Sequence, residues 1–161
     1  MKEIEDRADI DLLVNRFYSK IKKDDLLGPM FNRHIHEEKW PEHLSKLADF
    51  WETNLFGVAK FKGNPSLKHR GVDKASNYKI DQVHFGKWLQ LWIATIAELY
   101  SGANAEKAKN QARRMSTGQY LMMWQSRPEN QKKIKVVFFT KKSPLSRSTH
   151  PLSTKRQTVL K

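Results

Sequence analysis

Histidine, tyrosine and tryptophan are the side chains through which this sequence could carry out metal or proton chemistry. The chain has six histidines, four tyrosines and five tryptophans among its 161 residues, and no cysteine. Without cysteine there is no disulfide, no thiolate-bound metal and no iron–sulfur cluster. Any metal ion or cofactor must therefore rest on imidazole, phenol, thioether or carboxylate groups.

Taken one at a time, these residues have ordinary structural explanations. Tyr18 has the neighbours of a core tyrosine, and His43 lies at the edge of an apolar helix face, where packed histidines are common. His69 lies in a polar stretch that is typical of the surface. His34 and His36 point to opposite sides of an extended segment, and no third ligand follows nearby, which favours solvated side chains over a metal site.

The spacing of apolar residues predicts about four main helices to position these side chains. The i, i+3, i+4, i+7 pattern covers about Asp9–Lys23, Lys39–Phe56, Asp81–Ser101 and Asn104–Ser126. An apolar Gly-Pro turn is predicted at 26–31. Residues 58–81, which include His69, are predicted to form a long irregular stretch. No strand pattern or internal repeat is present, so the predicted fold class is all-α.

The charge is concentrated at the C-terminal end. The formal net charge is +13, and residues 132–161 contain nine Lys or Arg and no Asp or Glu. We therefore predict one domain at 1–128 and a basic, disordered tail at 129–161. No apolar run is long enough to span a membrane, and the N-terminus lacks the apolar region of a secretion signal. These features predict a cytoplasmic protein.

Five short motifs are more informative together than any one of them alone. In chain order they are Arg16–Tyr18, Asp24–Phe31, Trp40–Trp51, Gly63–His69 and His84–Leu89. Their order and spacing resemble the third group of truncated haemoglobins over roughly residues 8–126. The resemblance implies a truncated globin fold, in which two antiparallel helix pairs (2-over-2) surround one non-covalently bound haem b.

The resemblance also implies a role for each matching residue. His69 matches the proximal histidine that would bind the haem iron, and Phe31 matches the aromatic residue that packs on the porphyrin. Tyr18 and His43 match the distal tyrosine and histidine. Trp88 matches the tryptophan that borders the cofactor and directs its indole N–H at the ligand.

The function implied is reversible binding of dioxygen, or of other diatomics such as NO or CO, at a histidine-ligated iron. Distal hydrogen-bond donors would favour dioxygen over carbon monoxide, which is less polar when bound. Detoxification of nitric oxide or peroxide at the same site is a further candidate activity. Turnover of nitric oxide would require a separate reductase, because the sequence contains no flavin or nicotinamide motif.

Two alternatives stay open at the level of sequence. The segment between His69 and Trp88 is a few residues longer than expected, which keeps His84 as an alternative axial ligand. The second alternative is a non-haem helical module that binds nucleic acid or an acidic surface through its basic tail. The tail charge and the Phe138–Phe139 pair favour this interpretation, whereas the absence of a nucleic-acid-binding motif opposes it.

Overall fold

Residues 1–132 are the part of the chain that this computed structural model describes, and they contain six α-helices. They are α1 (Arg7–Ile21), α2 (Gly28–His34), α3 (Trp40–Phe56), α4 (Pro65–Ala75), α5 (Gln82–Leu99) and α6 (Ala103–Gln125). Short 3-10 turns lie at Glu37–Lys39 and Glu129–Gln131. The only β-type pairing in this part of the chain is an isolated bridge between Lys2 and Tyr100. The all-α prediction is confirmed.

The prediction of an irregular stretch at 58–81 is wrong in its middle, where α4 forms. Asn64 caps this helix, because its side chain accepts a hydrogen bond of 3.0 Å from the Leu67 N–H. Pro65 occupies the first turn, where its missing N–H costs nothing. The apolar turn predicted at 26–31 likewise belongs largely to a helix, α2, which has Pro29 in its first turn.

Helices α1 and α3 form the first antiparallel pair. Arg7 at the start of α1 reaches α3 near its end, with its Nη1 atom 2.6 Å from Asp49 and 2.7 Å from Glu52. At the other end of α1, the ring of Tyr18 lies 6.0 Å from that of His43, in the first turn of α3. The two helices therefore run in opposite directions along their shared face.

Helices α5 and α6 form the second antiparallel pair. They are joined by the short connection 100–102, and the Ser116 hydroxyl donates a 3.3 Å hydrogen bond to the Phe85 carbonyl across the pair. Helix α1 packs on α5, and α4 packs on α6. This arrangement confirms the predicted architecture of two antiparallel helix pairs.

Stacked aromatic rings fill the centre of the core. Trp92 of α5 is fully buried and stacks on Trp51 of α3, with ring centroids 4.4 Å apart and an interplanar angle of 17°. Trp88 lies parallel to Trp92 at 5.9 Å on the same helix. Phe17 of α1 contacts Trp88 and Trp92 edge-on, at 5.4 and 4.9 Å. The aromatic stack thus joins one helix of each pair, and α1 closes it from the side.

A buried ion pair ties α4 to the chain that follows α6. The Arg127 guanidinium donates to both carboxylate oxygens of Asp73, at 2.7 and 2.8 Å, and also to the Ile80 carbonyl. Asp73 and Arg127 are 1% and 8% exposed. Because the pair is bidentate and shielded from water, it fixes the end of α4 in place.

The start of α6 is closed by a carboxylate from the N-terminal segment. Glu3 accepts hydrogen bonds from the backbone N–H groups of Ala103 (2.7 Å) and Asn104 (2.9 Å). Burial of the carboxylate would raise its pKa, but these hydrogen bonds outweigh it and lower the pKa of Glu3. Gly102 makes this approach possible, because it has no Cβ atom to collide with the Glu3 carboxylate. Its backbone φ of 98° is also strained for any other residue.

Replacing Gly102 by alanine is therefore expected to destabilise the fold by about 1–3 kcal/mol. A Cβ atom there would lie 2.0 Å from Glu3 Oε2, so the capping carboxylate would have to move as well. The matched control is Gly118→Ala inside α6, where a Cβ atom would meet nothing within 4 Å. This change should stabilise the helix by about 0.5–1 kcal/mol. Urea unfolding of the two variants should give shifts of opposite sign, and shifts of the same sign would contradict the account.

None of the helices in residues 1–132 combines the length and the apolar content needed to cross a bilayer. The predicted disordered tail falls almost wholly outside the described residues, which end at Lys132. The domain boundary at residue 128 therefore stays a prediction.

Candidate functional site

Four ring side chains from α1, α2 and the start of α3 meet beside the core. The ring of Tyr18 lies 5.9 Å from Phe31, 5.9 Å from Trp40 and 6.0 Å from His43. Trp40 and His43 contact each other edge-on at 5.7 Å. These residues converge because α1 and α3 are antiparallel, which places the end of α1 against the start of α3. We call this group, together with Trp88, the distal cluster.

Trp88 joins the distal cluster from α5. It contacts Phe17, the residue before Tyr18, at 5.4 Å. Its indole is also near enough to Tyr18 to affect the pKa of the phenol. The structure thus brings together four of the five site residues predicted from the sequence: Tyr18, Phe31, His43 and Trp88.

Tyr18 keeps its phenolic hydrogen over the whole physiological pH range. Its side chain is only 5% exposed, and burial raises the pKa of Tyr18 to about 12. The indole N–H of Trp88 opposes part of this rise, because it favours the phenolate. Tyr18 is therefore a permanent hydrogen-bond donor in a mostly apolar setting.

His43 is neutral at physiological pH. Burial lowers the pKa of His43 below its ordinary value of 6.5, and the positive charge of Lys46 one turn along α3 adds to the shift. A neutral imidazole has one donor and one acceptor nitrogen, so His43 can either give or take a hydrogen bond next to Tyr18.

Acidification is expected to lower the free energy of unfolding in a manner that depends on His43. The pKa of His43 is lower in the folded protein than in the unfolded chain, so the unfolded chain takes up the proton first as pH falls. Its contribution to stability is complete above about pH 6.5 and declines below that value. Urea unfolding between about pH 7 and about pH 5 should show a steeper loss for the wild type than for His43→Gln. Parallel loss in the two proteins would contradict this.

His69 lies outside the distal cluster, in the middle of α4. Its Nδ1 atom is 2.7 Å from the Pro65 carbonyl oxygen, and its ring is 5.9 Å from Phe85 of α5. Because a carbonyl oxygen only accepts hydrogen bonds, Nδ1 must carry the hydrogen. Burial lowers the pKa of His69, and the bond to Pro65 offsets only part of this effect. The neutral ring therefore presents the lone pair of Nε2, which is the arrangement a metal-binding imidazole needs.

A cleft lies near His69, between α5 and α6. It has a volume of about 220 Å³, and Phe85 lines it together with Gly86, Ser116 and Tyr120. The ring of Tyr120 contacts that of Phe85 at 5.7 Å. Phe85 therefore lies between this cleft and the His69 ring, while the lining itself comes from α5 and α6.

His84 caps α5. Its Nδ1 atom lies 2.7 Å from the Asp81 carboxylate and 3.2 Å from the Asp81 backbone nitrogen, and the same carboxylate accepts the His84 N–H at 3.4 Å. These contacts form a capping box in which the imidazole replaces the usual glutamate or glutamine. The geometry therefore gives His84 a capping role at the start of α5, and both His69 and His84 are held through Nδ1, with Nε2 left available.

Around the distal cluster, the described residues leave apolar surface that a largely apolar cofactor would cover. Several large apolar side chains around the distal cluster are only partly buried, namely Phe31, Leu44, Leu47, Phe50 and Trp88. Helix α4 packs on α6, and no comparable packing joins it to α3 in the part of the chain that is described. Within residues 1–132 no group of three or more His, Asp or Glu side chains is placed to hold a metal ion.

Trp40 is a member of the distal cluster to which the sequence analysis gave no site role, although it lies on the apolar face of its helix and begins one of the five motifs. It is 4% exposed, and its indole Nε1 is buried without a hydrogen-bond partner in residues 1–132. The signal that could have identified it is its position three residues before His43, since side chains at this spacing share a helix face.

Comparison with known proteins gives two similarities. No family model matches the sequence. A group 3 truncated haemoglobin, Ctb of Campylobacter jejuni, is 34% identical over 100 residues, which are 61% of this chain and 72% of that protein. The crystal structure of a group III truncated haemoglobin from Campylobacter jejuni matches with a TM-score of 0.68 and 29% identity, over 76% of this chain and 95% of the other.

Proposed function

This chain belongs to the group III truncated haemoglobins, and from this premise we propose that it binds one haem b non-covalently and takes up dioxygen reversibly. Other diatomics, such as NO or CO, would occupy the same position. The observation that carries the proposal is the convergence of Tyr18, His43 and Trp88, three polar groups set among apolar rings. A core without a ligand to bind has no evident need for three such groups together.

His69 is the residue proposed to hold the iron. Its Nδ1–H bond to Pro65 fixes the tautomer and orients the ring, so that Nε2 is the coordinating atom. Haem, when bound, supplies an iron with one open coordination position for a diatomic ligand. Because α4 is anchored at its end by the Asp73–Arg127 pair, the imidazole is carried by a fixed helix.

The distal cluster is proposed to bind the polar end of the ligand. The Tyr18 hydroxyl and the Trp88 indole N–H are the donors, and the raised pKa of Tyr18 keeps its hydrogen in place. Hydrogen bonds to groups that carry charge contribute about 1.5–3 kcal/mol each. Carbon monoxide is less polar and gains less from the same donors, so the site favours dioxygen.

The apolar rings around these donors exclude water. Phe17 is fully buried between Tyr18 and the tryptophans, and Phe31 and Trp40 cover Tyr18 from α2 and α3. In such surroundings each hydrogen bond is electrostatically stronger than it would be in water.

Turnover of nitric oxide or peroxide is a further activity that this site would support. His43 is neutral and in ring contact with Tyr18, so it is positioned to accept or return a proton during such a reaction. A separate reductase would have to supply electrons, because the chain has no flavin or nicotinamide motif.

The proposal is tested by adding haem to the full-length protein and recording visible spectra of the reduced form with and without carbon monoxide. We expect saturation at one haem per chain and a Soret band that shifts when carbon monoxide is added. Failure to bind haem stoichiometrically would contradict the proposal. It would then favour the alternative function, in which the basic tail binds nucleic acid or an acidic surface.

A further inference from the structure

One face of α4 is exposed and combines positive charge with an apolar residue. Leu67, Arg70, Gly71 and Lys74 follow the i, i+3, i+4, i+7 spacing and therefore lie in line along the helix. All four are exposed, and Leu67 is 59% exposed, which is high for a leucine on a packed helix. We call these four residues the α4 outer face.

Within residues 1–132 the two cations of this face, Arg70 and Lys74, have no acidic partner. Neither Arg70 nor Lys74 forms an ion pair in this part of the chain. The nearby Asp73 carboxylate is already paired with Arg127. Arg70 bonds only to a backbone carbonyl of its own helix. The rest of the sequence cannot neutralise them with side chains, because no Asp or Glu follows Glu129. By contrast, Lys60 just before α4 pairs with Glu52 at 2.9 Å.

The α4 outer face forms one wall of a cleft of about 310 Å³. Asp73, Tyr78 and Ser126 complete the lining, and the Asp73 carboxylate is already paired with Arg127. Tyr78 has a left-handed backbone with a φ of 58°, and its N–H bonds to the Asp73 carbonyl at 2.8 Å. The buried Asp73–Arg127 pair connects the walls of the cleft, so the surface is preformed.

The position of this face relative to His69 points to the kind of partner it fits. His69 lies two residues after Leu67, about 200° around the helix, so its imidazole projects from the opposite side of α4. A protein bound to the outer face would therefore lie about one helix diameter, roughly 10 Å, from the proposed iron ligand.

We propose that the α4 outer face and its cleft are the docking site for an acidic segment of an electron-donating flavoprotein. The inference rests on the proposed function, because it assigns the site through which the iron would be reduced. Carboxylates of the partner would pair with Arg70 and Lys74, and Leu67 would be covered by an apolar contact. The transfer breaks and forms no bond: the reduced flavin loses one electron, and the ferric iron gains it.

The test uses the full-length, haem-loaded protein and flavodoxin, a small acidic flavoprotein, as the probe. Binding is measured by titration calorimetry at ionic strengths of about 0.01 and about 0.1 M, between which charge screening increases strongly. The variant is Arg70→Glu/Lys74→Glu. The matched control is Arg113→Glu/Arg114→Glu, which changes the net charge equally at two exposed positions of α6. The control also reports binding by the basic tail, which both variants retain.

We expect flavodoxin to bind the wild type more tightly at low ionic strength, and the α4 variant to bind at least about tenfold more weakly. The control should change by less than about threefold, and reduction by dithionite should be the same in all three proteins. Equal losses in the two variants, or no loss in either, would overturn the docking site. A normal Soret band in the same samples would show that the proposed function survives that result, whereas absence of the band would indicate failure of the proposed function.

Discussion

Replacing Tyr18 by phenylalanine is expected to weaken dioxygen binding by roughly ten- to hundredfold. The change removes a hydroxyl that is buried and protonated, since its pKa is raised to about 12, and leaves the ring and its contacts in place. The loss of one hydrogen bond to a charged group, about 1.5–3 kcal/mol, sets this range. Most of the change should appear as faster ligand release, measured by stopped-flow displacement of dioxygen with carbon monoxide.

The matched control for this prediction is Tyr100→Phe. Tyr100 is also buried, but its hydroxyl donates to the Asp9 carbonyl at 3.0 Å, away from the distal cluster. Its removal should affect stability and leave ligand release unchanged. An unchanged dioxygen release rate in Tyr18→Phe would contradict the role assigned to the hydroxyl. A change of equal size for carbon monoxide would show that the variant altered access to the site instead of polarity.

Breaking the Asp73–Arg127 pair is expected to cause the largest loss of stability of any single change proposed. Replacing Asp73 by alanine would leave the Arg127 guanidinium buried without its anionic partner. Removal of one member of a buried ion pair costs about 3–5 kcal/mol. The free energy of unfolding, measured in urea, should therefore fall by this amount in Asp73→Ala.

An apolar replacement of both partners separates the effect of the stranded charge from that of lost packing. Asp73→Leu/Arg127→Met buries no charge and should be more stable than Asp73→Ala. Part of the loss should persist, because Arg127 also donates to the Ile80 carbonyl, which the double variant leaves unpaired. If Asp73→Ala lowers the free energy of unfolding by less than about 1 kcal/mol, the pair behaves like an exposed one, which would contradict its assignment as a buried, structural ion pair.

The four long helices could be predicted from the sequence because each buries a continuous apolar face. Their observed ends lie within two residues of the predicted ones. Helix α4 was missed because it has little to bury: Asp73 is its one buried residue, and Leu67 faces outward. The start signal, Asn64 followed by Pro65, was present in the sequence. In short helices such capping residues are therefore more informative than hydrophobic periodicity.

The candidate site depended on a different kind of information. Periodicity shows that Tyr18 and His43 lie on helices, but it does not specify which ends of α1 and α3 meet. Their grouping with Trp88 followed from resemblance to a family, and the structure brings them together. Trp40 was missed as a member, and the Asp73–Arg127 pair was missed because its partners lie 54 positions apart in the sequence. Contacts at that distance depend on the tertiary fold, which spacing alone does not encode.

We propose that the Nε2 atom of His69 binds the iron, and the most direct test is the visible spectrum of His69→Gly, recorded with and without added imidazole. His84→Ala, which removes the other candidate imidazole, is recorded alongside. We expect His69→Gly to lose the wild-type reduced spectrum and to recover it when imidazole occupies the space left by the side chain, whereas His84→Ala should keep that spectrum. The opposite result, in which His69→Gly keeps the wild-type spectrum without imidazole and His84→Ala loses it, would contradict this assignment. It would indicate that His84 of α5 binds the iron.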